Sequence, residues 1–146
     1  MNKIDCFDGE YAFLSNFYEA PIIKDGITYP TNEHFFQAMK TLDNEERKKI
    51  AAALTPGQAK RMGRKVKLRP DWDSVRLQIM KEGLTLKFLC HKDLAKKLVA
   101  TGDTYLEEGN WWNDTFWGVC ENKGENNLGI LLMEIRKTLK GIIKND

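Results

Sequence analysis

Ala20-Pro21-Ile22-Ile23-Lys24-Asp25-Gly26-Ile27-Thr28-Tyr29-Pro30-Thr31-Asn32-Glu33-His34-Phe35-Phe36-Gln37-Ala38-Met39-Lys40 is the stretch on which the fold turns. Residues 20–23 and 27–29 are short β-prone runs. The Lys24-Asp25-Gly26 between them carries the Asp-Gly pair that a tight hairpin prefers. Pro30-Thr31 punctuates the chain, and residues 32–40 suit a helix. A hairpin followed by a helix predicts an α+β chain.

Most of the remaining sequence reads as helix. Asp43 with Glu46 has capping-box spacing and opens a helix expected to reach about residue 54. Thr55-Pro56-Gly57-Gln58 supplies an N-cap, a proline at the first helical position and a glutamine at the third. The longest helix is expected over 72–90. There Met80, Gly83, Leu84, Lys87 and Phe88 follow an i, i+3, i+4, i+7, i+8 stripe, in which the lysine either snorkels or reaches a site. A shorter helix over 93–100 is stopped by Thr101-Gly102. Residues 103–127 read as loop with one strand at Tyr105-Leu106. A final helix over 128–140 places Leu128, Leu131, Leu132, Ile135 and Leu139 on one face. The expected architecture is α+β and mostly helical, a single domain over residues 1–146 with a small antiparallel β element near the N-terminus.

Composition narrows the function classes. With 42% hydrophobic and 30% charged residues the chain has the balance of a globular protein. Its net charge of +2 is too small to argue for nucleic acid or an anionic membrane. No apolar run approaches the roughly 20 residues needed to cross a bilayer, and Met1-Asn2-Lys3-Ile4-Asp5-Cys6 has no signal-peptide core, so a cytosolic location is expected. Cys6, Cys90 and Cys120 form no CxxC pair and are expected to be reduced and mostly buried. His34 and His91 have no cysteine or second histidine at ligand spacing, so neither metal nor cofactor is expected.

Four segments hold the candidate chemistry. On a helix, Glu33, Gln37 and Lys40 share one stripe, while Phe35 and Met39 point elsewhere as anchors. The stripe is either the edge of a site or a solvated amphipathic face. Residues 106–118 hold three of the four tryptophans, with Glu107, Glu108 and Asp114 among them. Indoles in a loop suit a flat heterocycle, and carboxylates among them suit ribose hydroxyls; the alternative is a loop whose rings plug the core. Gly124-Glu125-Asn126-Asn127-Leu128-Gly129 leads into the last helix and offers backbone N–H groups to a phosphate, or merely caps the helix. Arg61, Arg64, Lys65, Lys67, Arg69 and Arg76 surround Trp72 as a grip for phosphate or as solvated surface.

Taken together these segments resemble the NADAR, or YbiA-like, family. The resemblance is carried by Phe13-Leu14-Ser15-Asn16-Phe17, by Glu33-His34-Phe35-Phe36-Gln37-Ala38 with Lys40, and by Arg61-Met62-Gly63-Arg64. Asp71-Trp72-Asp73 with Arg76, and Leu84 with Lys87-Phe88, continue it. Leu106 with Glu108, Asp114 with Trp117-Gly118, and Gly124, Asn126, Leu128-Gly129, Leu132-Met133 and Arg136 complete it. The boxes follow family order from residue 13 to 136. The resemblance implies hydrolysis of N-glycosidic bonds. Its substrate classes are phosphorylated ribosylamino-pyrimidine intermediates of riboflavin synthesis and ADP-ribose on the amino nitrogen of guanine, free or in DNA. Both join a sugar C1 to an exocyclic amine on a flat ring, near phosphate.

Cleaving such a bond develops positive charge at C1. A carboxylate near C1 stabilises it and deprotonates water, which makes Glu33 the first candidate and Asp114 the second. Lys40 either exchanges with the base amine as a Schiff base or balances the charge of Glu33. Trp72 and Trp117 would wall the base or ribose, and Arg64 and Lys87 would meet phosphate. Asn16, Phe17, Gln37, Glu108, Gly118 and Asn126 complete the expected substrate contacts, with Glu108 preferred to Glu107. A non-catalytic module that binds ADP-ribose or a nucleotide would use the same residues. The expected partner is a small nucleotide-like substrate, or ADP-ribosylated DNA in that role, with no membrane. Oligomeric state is not legible.

Overall fold

A computed structural model describes residues 2–144. The elements run β1 (Lys3–Ile4), a 3-10 helix (Gly9–Leu14), β2 (Glu19–Lys24), β3 (Ile27–Thr31), α1 (Asn32–Ala38), α2 (Asn44–Ala51), α3 (Pro56–Gly63), α4 (Trp72–Cys90), α5 (Lys92–Ala100), β4 (Tyr105–Leu106) and α6 (Asn127–Lys144). The chain is mixed α and β, mostly helical, as its pattern implies. It folds into two compact units, Asn16–Cys90 and the combination of Met1–Ser15 with His91–Asp146.

The unit Asn16–Cys90 begins with the expected hairpin. β2 and β3 pair antiparallel with Lys24 opposite Ile27, and Asp25 and Gly26 form the turn at φ 51 and 78. Two positive φ values in succession are what a type I′ turn demands, and Asp-Gly tolerates both. The register shifts between Glu19 and Ile22, beside Pro21, which has no N–H for the ladder. Thr31 closes β3 and caps α1, its hydroxyl accepting from the His34 N–H at 3.1 Å. The imidazole of His34 then bonds the Thr31 hydroxyl at 2.8 Å and the Ala53 carbonyl at 2.9 Å. Since a carbonyl only accepts, Nε2 carries the proton and Nδ1 accepts from Thr31. Burial lowers the pKa of this ring, so His34 is a neutral tie between the start of α1 and the end of α2.

The caps of α2 and α3 are those the sequence calls for. Asp43 accepts from the N–H groups of Glu45 and Glu46, and Thr55 accepts from Gln58 with Pro56 at the helix start. α2 stops at Ala51, short of the expected residue 54, because the Ala53 carbonyl turns to His34. α4 has the expected bounds, and Met80, Gly83, Leu84, Lys87 and Phe88 are all buried. Tyr29 meets Phe35 edge-on at 5.5 Å, and Phe36 meets Trp72 at 5.0 Å, so α1 is the centre of this unit's core.

The other unit packs α5 and β4 against α6, whose Leu128, Leu131, Leu132, Ile135 and Leu139 are buried. Gly102 ends α5 with φ 69. β4 does form at Tyr105-Leu106, but its partner is β1, in parallel. This pair stands outside the expected antiparallel element; two-residue strands a hundred positions apart carry no periodicity to read. The cysteines correct another expectation: Cys6 and Cys90 are exposed and Cys120 is half-buried. Cys6 lies in the loop after β1, and Cys90 ends α4 beyond its buried stripe. No helix among the described residues is long and apolar enough to cross a membrane.

Candidate functional site

α1 presents no solvated face. Every residue from Asn32 to Ala38 is buried, which rules out the amphipathic-surface alternative. Glu33 is 7% exposed and Gln37 3%. The Gln37 amide, one turn on, donates to the Glu33 carboxylate at 2.6 Å, and the backbone N–H of Glu33 bonds the Asn16 carbonyl at 3.0 Å. The Asn16 side chain accepts from Asn32 at 2.8 Å, and both amides lean on the Met80 sulfur at 3.4 Å. Asn16 thus braces the helix start that carries Glu33.

The helix ends sooner than its sequence suggests. Met39 is the C-cap, and Lys40 lies on the turn that follows, its N–H bonded to the Gln37 carbonyl at 3.2 Å. Lys40 is therefore not a third rung on a continuous helical stripe. It nonetheless stays within electrostatic reach of Glu33. Its ammonium stands 6.0 Å from the Phe36 ring centre and 5.9 Å from that of Trp72. Burial lowers its pKa first, and the cations of Arg64 and Lys60 lower it further, while Glu33 pulls the other way. An amine in an aromatic slot, crowded by other cations, holds its proton less tightly than a free lysine.

α3 presses on the same group. A Cβ at Gly63 would run into the Gln37 amide, so a glycine is needed for α3 to pack this closely. Gly83 on α4 does the same for Asn32. Two oxygens beside Glu33, Asn32 Oδ1 and Gln37 Oε1, are buried with no hydrogen-bond partner among the described residues. A buried oxygen left without a donor costs stability. Asn32 and Met80 are members of this cluster that sequence reading missed. Asn32 looked like an ordinary helix-start residue, and Met80 like plain core.

Asn16, Glu33, Gln37, Lys40, Arg64 and Trp72 therefore gather in one unit. Phe17 is exposed nearby in sequence. Lys87, expected to meet phosphate, is fully buried, 5.7 Å from the Tyr18 ring centre and 5.3 Å from that of Phe88. Burial lowers its pKa to about 7.

The other unit organises the tryptophan loop. The N–H of Glu108 bonds Asn126 Oδ1 at 2.9 Å, and its carboxylate accepts from Asn110 at 3.0 Å. Glu107 instead pairs with Lys3 at 3.3 Å. The Asp114 carboxylate accepts from the N–H groups of Phe116 and Trp117 at 3.1 and 2.9 Å. Asp114 Oδ1 is thus committed to shaping the turn that carries Trp117, whose ring stands edge-on to Phe116. Gly118 packs so tightly on Glu108 that any Cβ would collide with it. Asn126, at φ 56, spends its amide on Glu108, Leu106 and Tyr105, so it braces the loop. Of the two readings of residues 124–129, phosphate cradle or helix cap, the first is not supported at residues 125–128. The N–H groups of residues 125–128 are taken by the carbonyls of residues 115–118. Trp111 and Trp112 are both exposed, so they do not plug the core.

Comparison with known proteins accords with this geometry. The family model described as the NADAR domain matches residues 6–140. The chain is 45% identical over 133 residues to the N-glycosidase YbiA of Shigella flexneri serotype 5b (strain 8401), covering 89% of this chain and 82% of that one. It is 39% identical over 139 residues to an N-glycosidase of Nostoc punctiforme (strain ATCC 29133 / PCC 73102), covering 91% and 88%. The NMR structure of the E. coli protein YbiA superposes with a TM-score of 0.86 at 42% identity, covering all of this chain and 90% of that one.

Proposed function

The chain belongs to the NADAR domain family, and from that premise we propose that it is a hydrolase that cleaves a bond between ribose C1 and an amino nitrogen. The observation that carries this reading is the arrangement of Glu33, Gln37 and Lys40: a buried carboxylate oriented by an amide, beside an amine of lowered pKa in the Phe36–Trp72 slot. Glu33 stabilises the charge that develops at C1 and receives the proton of the attacking water. Arg64 meets the sugar's phosphate. In the other unit, Asp114 and Asn126 hold the loop of Glu108 and Trp117 in shape.

The lowered pKa of Lys40 favours a covalent route. The glycosidic nitrogen expels the ring oxygen, which takes a proton from water, to give an iminium at C1. The free amine of Lys40 adds to C1, and the base amine leaves with a proton delivered through Glu33. Water then adds to the lysine imine and releases the sugar. The same cluster suits either substrate class of the family, ADP-ribose on the amino group of guanine or a phosphorylated ribosylamino-pyrimidine. The test offers both to the purified chain, side by side, and follows released base and sugar by mass spectrometry. Release from at least one is expected; binding of both without release would make the chain a binding module.

A further inference from the structure

The aromatic walls around Lys40 differ in origin. Phe36 stands one turn back on α1, so its place follows from the helix itself. Trp72 opens α4 and has to be brought to Lys40 across the chain. Arg69 makes that join twice. Its backbone N–H donates to the Lys40 carbonyl at 2.8 Å, and its own carbonyl accepts from the Trp72 N–H at 3.2 Å. Its guanidinium repeats the span. Nε and Nη2 donate to the two carboxylate oxygens of Asp71 at 2.7 and 3.1 Å, while Nη1 donates to the Met39 carbonyl at 3.4 Å. The Asp71 carbonyl in turn accepts from the N–H of Val75, in the first turn of α4. The guanidinium thus links the end of α1 to the start of α4 alongside the peptide.

Neither a helix cap nor a solvated cation accounts for this arrangement. The last carbonyls of a helix lack intrahelical partners, and one cation can satisfy them without reaching further. Arg47 acts in that simpler way, donating from Nε to the Thr41 carbonyl at 2.9 Å. Arg69 turns its fork to Asp71 as well, although the Asp71 side chain is 49% exposed and that of Arg69 only 17%. As an ion pair near the surface it would add little to stability. A planar bidentate fork, however, fixes direction as well as distance. Pro70 lies between the two residues and stiffens the span, because its ring holds φ near about −65°. Lys40 needs such a tie, since it reaches the slot from a turn and not from the helix itself.

We propose that Arg69 is a positioning residue, whose guanidinium holds the Lys40 amine against the Trp72 ring and keeps the slot closed to water. The charges that bear on the amine lie elsewhere, in Glu33 on α1 and in Lys60 and Arg64 at α3. Those of Arg69 and Asp71 are spent on each other. Loosening the span therefore acts through water entry and not through charge. Burial is the first cause of the lowered Lys40 pKa, so a wetter slot raises it. The inference rests on the glycosidase reading only for what the amine then does; the positioning itself is read without substrate.

The test is an NMR titration of the full chain carrying carbon-13 lysine, with the Lys40 signal assigned by its loss in Lys40→Arg. Arg69→Lys keeps the charge and removes the fork, so the Lys40 pKa should move up, towards the 10.5 of an ordinary lysine. Asp71→Ala separates charge from position by sign. Losing a nearby anion would by itself lower the pKa of an amine, whereas losing the span raises it. Arg47→Lys, which alters the neighbouring tie at Thr41 and not the Arg69–Asp71 span, should leave the value in place. In turnover, each unit of rise leaves about a tenth of the free amine below the pKa. The kcat of Arg69→Lys should fall by that factor at pH 7 and recover as pH rises, with KM little changed. An unmoved pKa in folded Arg69→Lys, a fall in Asp71→Ala, or an equal rise in Arg47→Lys would overturn the role of Arg69. Should the pKa follow the span while neither N-glycoside is cleaved, the positioning stands and the glycosidase reading fails. Cleavage with an unmoved pKa would leave the glycosidase reading standing and remove the positioning role.

Discussion

Glu33 receives its orientation from two directions: the Gln37 amide on its side chain and the Asn16 carbonyl on its backbone. Glu33→Gln keeps the volume and removes the charge. We expect kcat to fall about 10²-fold or more, as for loss of a general base, with substrate binding retained. Full activity in a folded variant would remove the carboxylate from the mechanism. Lys40 separates two chemistries. Since burial and the nearby cations lower its pKa, the free amine appears at lower pH than for an ordinary lysine. A covalent route therefore predicts a rate that rises with pH through that lowered value, borohydride trapping of sugar on the protein during turnover, and a dead Lys40→Arg. Partial activity in Lys40→Arg with nothing trapped would assign it to charge balance. The pairing of Glu33 with Gln37 was legible because i, i+4 spacing is local. The burial of the whole of α1 was not, since Asn32, Glu33, His34 and Gln37 read as polar until their partners at Asn16, Ala53 and Met80 are known.

At the scale of elements, caps and turns were the most readable features, because Asp25-Gly26, Asp43 and Thr55 act on residues two or three positions away. Close approaches were not, since they depend on a second helix. Gly63 is the clearest: the sequence shows only a glycine near a helix end, and the structure shows α3 seated on Gln37. Gly63→Ala must displace Gln37 or tilt α3. We expect a loss of about 1–3 kcal/mol in urea denaturation, typical of overpacking, together with reduced kcat as Glu33 loses its amide. Unchanged stability and rate would show that the contact yields freely. α4 makes a second prediction through Lys87, whose pKa falls from 10.5 to about 7 on burial. The unfolded chain then binds more protons between those values, so stability rises with pH from about 7 and levels off near 10.5. The slope is at most about 1.4 kcal/mol per pH unit. Denaturation at pH 7 and 9 should show a larger gain for the wild type than for Lys87→Met, and equal gains would sink the idea.

For the molecule as a whole, the sequence read outward from residues 20–40 gives most of the unit Asn16–Cys90, whose elements follow one another along the chain. It does not reveal that Met1–Ser15 joins His91–Asp146, because that union is made by contacts a hundred residues apart. Several of these contacts are specific. The Tyr105 N–H reaches the Asn2 carbonyl at 3.4 Å, the Glu107 N–H reaches the Ile4 carbonyl at 2.9 Å, and Lys3 pairs with Glu107. Gly109 packs so tightly on the Asp5 carbonyl that a side chain there has no room. From Gly109 the order passes onward: Asn110 bonds the Val119 carbonyl, Asn110 and Asn126 hold Glu108, and Asp114 holds Trp117. The first strand is thus one anchor of the tryptophan loop, though it contributes no residue expected to touch substrate. Deleting residues 2–5 should therefore abolish hydrogen-exchange protection at the Tyr105 and Glu107 amides and loosen the segment through Trp117. The β2–β3 hairpin amides, which bond to each other, should keep their protection. The substrate dissociation constant should rise along with that of Trp117→Ala, whose lost ring is worth about 1–3 kcal/mol if it stacks on a base. Protection of Glu107 undiminished by the deletion would mean that α6 alone holds the loop, and the parallel pair would then be incidental to binding.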